Sequence, residues 1–98
     1  MSRVRISDAA QADLDDIWLY IAADSPVNAD RFLDRLVSSL TTTLAAAPFA
    51  GRARDEFEAG LRSFTFEKYI AFYRVRKGVV EIVRIIHGAR DLGVIFGG

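Results

Sequence analysis

Hydrophobic and polar positions change their period along this chain, and the changes mark its elements. Arg3-Val4-Arg5-Ile6 alternates polar and apolar residues, the period-two signature of a short strand. Ser7 or Asp8 then offers a helix N-cap, with Asp8 and Gln11 at capping-box spacing. Behind them Ala10, Leu14, Ile17, Trp18 and Ile21 form one helical stripe, which leaves Gln11, Asp15 and Asp16 off it. Ser25-Pro26 ends this helix and opens another, with Ser25 as cap and Pro26 at the first helical position. The second stripe is Phe32, Leu33, Leu36, Val37, Leu40 and Leu44, and it predicts a helix to about Ala47, where Pro48 stops it. So short a connection between two helices makes an antiparallel hairpin.

Residues 48–60, bounded by Pro and Gly, read as a loop with room for one helical turn. Beyond Gly60 the segments 61–66, 69–76 and 79–87 are rich in β-branched and aromatic residues, as strands are. Lys77-Gly78 reads as a two-residue hairpin turn, which pairs Arg74 with Glu81, Tyr73 with Ile82 and Ala71 with Arg84. A second such turn at Glu67-Lys68 pairs Arg62 with Tyr73 and Phe64 with Ala71. Alternation then puts Arg62, Phe64, Phe66, Tyr69, Tyr73, Val75, Ile82 and Arg84 on one face. The other face holds Ile70, Phe72, Val79, Val83 and Ile85, with Arg74, Arg76 and Glu81 near the turn. The second is the cleaner apolar surface, so the helices are expected there and the Arg/Tyr face is expected open. The fold class is α+β, a β-α-α-β-β-β order in which a helical hairpin packs on a mostly antiparallel sheet. A short tail, helix or edge strand, completes one domain over residues 1–98.

Composition changes this picture little until it is read by segment. Thirteen basic and thirteen acidic residues cancel, which argues against a nucleic-acid binder working by bulk charge. Residues 1–50 nevertheless carry four Arg against seven Asp, and residues 51–98 carry nine basic against six acidic groups. The result is an acidic helical half and a basic sheet half. Without Cys there is no disulfide framework, thiolate nucleophile or Cys-ligated metal. The start lacks the apolar run of a signal peptide and nothing approaches a membrane span, so a cytoplasmic chain with no membrane association is expected.

Candidate chemistry is sparse. His87 is the sole histidine, so no His pair exists for zinc and no triad is completed. Its favoured role is structural, bonding backbone at a strand exit, with a lone general base as the competing one. Asp13, Asp15 and Asp16 do not converge on one ion from helical spacing and read as a solvated face. Arg74 and Glu81 read as a cross-strand surface pair and Trp18 as core. Gly51-Arg-Ala-Arg lacks the pattern of a phosphate loop. No cofactor or metal is called for.

One resemblance covers essentially the whole chain. Its first helix contains DLDDIWLYIA, its loop opens P-x-x-G-R, Leu61-Arg62 starts a strand, and Tyr69-Ile-Ala-Phe-Tyr-Arg follows. With Ile85-Ile-His-Gly-Ala-Arg-Asp as the most specific block, the chain resembles the RelE/ParE toxins of bacterial type II toxin–antitoxin systems, the ParE branch in particular. The resemblance implies a toxin that inhibits DNA gyrase by protein–protein contact, without catalytic residues, in a hetero-oligomer with a ParD-like antitoxin whose C-terminal segment wraps it. Nucleic acid would then be reached only through the antitoxin. The RelE branch implies instead a ribosome-dependent mRNA endonuclease, with Arg62 and Arg84 on phosphate and His87 or Tyr69 moving protons. A member that only binds its antitoxin is a third reading. The tail from Leu92 lacks the acid/base side chain of the nuclease branch, which favours the gyrase reading. Arg62, Arg84, His87 and Arg90 are the candidate target-binding residues, and Tyr69, Tyr73, Phe64 and Arg74 the candidate antitoxin contacts.

Overall fold

The computed structural model describes residues 2–90 and Phe96. Strand β1 (Arg3–Ile6) leads into helices α1 (Asp8–Ala22) and α2 (Pro26–Ala46), followed by β2 (Arg52–Ala53), β3 (Arg62–Phe66), β4 (Tyr69–Arg76) and β5 (Val79–His87). The five strands form one sheet in the order β1-β5-β4-β3-β2, in which β1 runs parallel to β5 and the other neighbours are antiparallel. The α+β reading holds. The expected loop supplies the extra strand β2, two residues that pair with β3. Of the expected tail only Phe96 is described, and whether the tail forms a helix or an edge strand lies outside the described residues.

Local chemistry explains the helix ends. Ser7 is the N-cap of α1, its hydroxyl accepting from the Ala10 amide at 3.1 Å, while Gln11 turns to Asp15 instead of closing a capping box. Ser25 caps α2 by accepting from Asn28, and Pro26 occupies the first turn, where its missing amide proton is no loss. Ala10, Leu14 and Ile17 of α1 and Ala29, Leu36, Leu40 and Leu44 of α2 are buried. Trp18 is only half-buried, and its indole donates to Asp30 across the hairpin at 2.8 Å.

The two hairpin turns fall where expected. Lys77 and Gly78 both have positive φ, as a primed turn requires, and Glu67 is positive at the other turn. Arg62 pairs with Tyr73, Phe64 with Ala71, Tyr73 with Ile82 and Arg74 with Glu81. The expected Ala71–Arg84 pair is replaced by Ala71–Ile85 and Phe72–Arg84, because the register shifts by one at Phe72/Tyr73 and leaves Val83 without a partner. This bulge reverses the facing of every later β5 residue, so Ile82 and Ile85 lie in the same core three positions apart.

The helices pack on the face expected to be open. Their core includes Ala71, Tyr73, Val80, Ile82 and Ile85, with Phe64, Phe66, Tyr69 and Val75 packed against it. Small Ala71 lets the helices approach, and Tyr73 is tolerated at zero exposure because its hydroxyl accepts the Gly51 amide at 2.9 Å. The opposite face is apolar because it has a smaller core of its own, in which Leu61, Phe72 and Ile86 meet Phe57, Ile70, Val83 and Phe96. Apolarity therefore did not discriminate between the faces.

Candidate functional site

Parallel β1 stops opposite Ile82, so among the described residues β5 runs on past it with no strand neighbour on that edge, and the candidate site is built there. Ser7 seals the junction: its amide donates to Ile82 O, and its hydroxyl donates to Val83 O at the bulge. One turn into α1, the Asp13 carboxylate accepts the Ile85 amide at 2.8 Å. The same carboxylate takes the Arg84 guanidinium in a two-pronged pair, Nε at 2.8 Å and a terminal nitrogen at 3.0 Å. Asp13 and Arg84 side chains keep 13% and 32% of their exposure, so this pair is shielded well beyond an ordinary surface salt bridge. The Asp13 hydrogen bond holds the Arg84 pKa above the ordinary guanidinium value, against the desolvation that lowers it and with the Asp13 charge adding to it.

Beyond this pair the edge opens into a pocket of about 420 Å³. One wall is α1, whose Asp13, Asp16, Ile17 and Tyr20 share a helix face at i, i+3, i+4 and i+7. The other wall is the far end of the sheet, with Lys68, Tyr69, Ile85, Ile86, His87 and Arg90. His87 and Tyr69 are register partners whose rings meet edge to face at 5.4 Å, and Phe32 packs against Tyr69 at 5.6 Å. His87 Nδ1 accepts the Ala89 amide at 3.1 Å, which places the proton of the neutral ring on Nε2. Burial pushes the Tyr69 phenol above its ordinary pKa, and neighbouring Tyr20 adds to the rise. The pocket offers an amphipathic niche with cations at one rim and Tyr20, 79% exposed, at the other.

The sequence-predicted residues divide among different places. Arg84, His87 and Arg90 meet at or beside this pocket. Arg62 does not: it pairs with Tyr73, four residues along β4 from Tyr69, or about 13 Å at strand rise. Its guanidinium donates to Phe49 O at 3.1 Å and Gly51 O at 2.7 Å, lies 5.4 Å from the centre of the Phe49 ring, and so pins the loop after α2. Among the proposed antitoxin contacts, Tyr69 alone lines the pocket. Tyr73 is sealed in the core and Phe64 is packed beneath the helices, which removes the open Arg/Tyr face expected from the sequence. Arg74 belongs to the opposite face, where it pairs with Glu58 at 3.0 Å, while its register partner Glu81 pairs with Arg5.

Sequence reasoning missed Asp13, Tyr20 and Lys68. Asp13 was placed on a solvated face, yet it flanks the apolar stripe and is the partner of Arg84, 71 residues away. Nothing periodic links two such positions. Tyr20 had a usable signal, since it continues the helix face of Asp13 and Ile17.

With this geometry in hand, comparisons with known proteins are specific. Residues 4–92 match the sequence model of the ParE toxin of the type II toxin–antitoxin system parDE. The chain is 36% identical to Toxin ParE1 of Mycobacterium tuberculosis over 93% of its own length and 94% of that protein. It is 35% identical to Toxin ParE1 of Caulobacter vibrioides, covering 89% of this chain and 90% of that one. Among solved structures, the chromosomal ParDE system of P. aeruginosa superposes with a TM-score of 0.75 at 27% identity, covering 89% of this chain and 96% of that chain. The fold alone is shared with a chain of the RelBE2 toxin–antitoxin complex of Mycobacterium tuberculosis, at a TM-score of 0.65 and 24% identity, covering 91% and 93% of the two chains. A family match from residue 4 to residue 92, with relatives 35–36% identical over most of both chains, leads to one assignment: the chain belongs to the ParE toxins of type II toxin–antitoxin systems.

Proposed function

We propose that this chain inhibits DNA gyrase by protein–protein contact and is neutralised by a cognate ParD-like antitoxin. One observation supports the choice against nuclease chemistry: both strand arginines that the nuclease reading puts on the scissile phosphate are committed elsewhere. Arg84 is held by both oxygens of Asp13, and Arg62 donates to two backbone carbonyls. Cleaving a phosphodiester needs charge stabilisation of a pentacovalent phosphate together with two proton movements. Releasing Arg84 to that task would leave a largely shielded Asp13 carboxylate without its charge partner, at a cost of about 1–2 kcal/mol once discounted for partial exposure. His87 and Tyr69 remain as neighbours at the pocket, beside Lys68 and Arg90, with neither strand arginine free to serve them. The contact surface proposed is the pocket rim of Tyr20, Lys68, His87 and Arg90, where an aromatic and cations stand together as they do at protein interfaces. The antitoxin part of the proposal is supported by the P. aeruginosa relative, whose structure is that of a ParDE system.

Induction of the chain without antitoxin tests the mechanism. Growth should stop with cellular mRNA intact, and co-expression of a cognate ParD-like antitoxin should restore growth. New mRNA 5′ ends in primer extension soon after induction would overturn the proposal in favour of a ribosome-dependent nuclease.

A further inference from the structure

The sheet face opposite the helices carries a second surface, at the β4–β5 turn and away from the pocket. Val4 and Ile6 pack into the helix-side core, so Arg3 and Arg5 project to the other side. Three adjacent strands then align two rows across the sheet. The first is Arg3–Val79–Arg76 and the second Arg5–Glu81–Arg74. Lys77 joins them from the turn, and a shallow recess of about 310 Å³ is lined by Arg5, Arg74, Arg76, Lys77, Val79 and Glu81. Five cations thus face one acid of the sheet, with Glu58 reaching in to Arg74. Arg3, Arg5, Arg76 and Lys77 are exposed, and among the described residues Arg3, Arg76 and Lys77 take part in no ion pair.

We infer that this face binds the phosphate backbone of duplex DNA, without reading its sequence. Neighbouring strands stand about 4.8 Å apart and residues two apart on one strand about 6.7 Å, so the guanidiniums form a grid able to meet several phosphates at once. The lining of the recess has no aromatic side chain, so single-stranded nucleic acid finds no stacking platform. Val79 is its sole apolar member, which leaves a folded protein or peptide without the buried anchor that such interfaces need. A regular, polyanionic rod is the remaining match of charge and shape. The neutral net charge conceals this site because the grid draws Arg3 and Arg5 from the acidic half of the chain. The inference stands apart from the gyrase proposal, since it concerns the isolated chain and another face.

Fluorescence anisotropy of a labelled 30-base-pair duplex with the purified full chain tests it. Contact with three or four phosphates predicts a slope of log affinity against log salt of about −3. The triple variant R3Q/R76Q/K77Q, at exposed positions, should lose at least tenfold in affinity and most of that slope. Glu81→Gln removes the opposing acid and should tighten binding severalfold, a gain that misfolding would not produce. Arg31→Gln, on the helical side, should change nothing. Equal duplex binding by the triple variant and the parent would overturn the inference. So would tighter binding to single-stranded RNA, binding of polyglutamate as tight as duplex, or no duplex binding at low salt.

Discussion

Asp13 does the most with one side chain, because three donors from β5 converge on its two oxygens. Asp13→Asn keeps the shape but removes the charge that holds Arg84 and turns one acceptor into a donor facing a guanidinium. Urea unfolding should show a loss of about 1–2 kcal/mol, the range of a hydrogen bond to a charged group discounted for partial exposure. At the opposite end of the sheet, Gly51 has no room for a side chain. A Cβ there would lie 2.5 Å from Ser63 O and 2.6 Å from the Tyr73 hydroxyl, both in the sealed region beneath the loop. Gly51→Ala should cost about 1–3 kcal/mol by the same measurement, as forced overpacking does. Tyr69 gives a pH dependence with a definite sign. Its folded-state pKa lies above the ordinary value of 10.0, so above pH 10 the unfolded chain releases a proton that the folded chain retains. Its contribution is intact below pH 10 and is lost as pH rises through the folded value. Tyr69→Phe should therefore flatten the alkaline fall in melting temperature, and Tyr20→Phe should lower the Tyr69 midpoint seen by phenolate absorbance.

Elements that obey a single local rule were legible in the sequence, and those set by a contact between distant segments were not. Both helix caps, the Pro26 start and the two hairpin turns depend on neighbours within a few residues, and each formed where its residues predicted. The bulge at Val83 depends instead on Ser7, 76 residues away, whose hydroxyl both caps α1 and donates to Val83 O. No alternation pattern announces it, and one unpaired residue sufficed to misplace Arg84. The exchange of sheet faces has a different cause. Phe57 and Phe96 give the far face a core of its own, so two apolar faces competed for the helices. Because Ser7 joins α1 to the bulge, Ser7→Ala should cost more than a solvent-exposed cap, about 1–2 kcal/mol in thermal or urea unfolding. Its loss should also raise hydrogen exchange at Ile85, whose amide is protected by the neighbouring Asp13.

At the scale of the molecule, a neutral chain carries two proposed contact surfaces on different parts of its fold. The pocket at the open end of β5 groups Tyr20, Tyr69, His87 and Arg90, and the far face gathers Arg3, Arg5, Arg74 and Arg76. Family membership rests on a match from residue 4 to residue 92, while the route to toxicity rests on how the arginines are spent. With Arg62 and Arg84 in structural contacts, the proposed route is inhibition by protein–protein contact. The most direct measurement is plasmid supercoiling by purified gyrase, titrated with the purified chain in the absence of ribosomes. The account predicts that supercoiling falls as the chain approaches a molar excess over gyrase and recovers when the cognate antitoxin is added. Supercoiling that stays unchanged at a large excess of folded chain would contradict it.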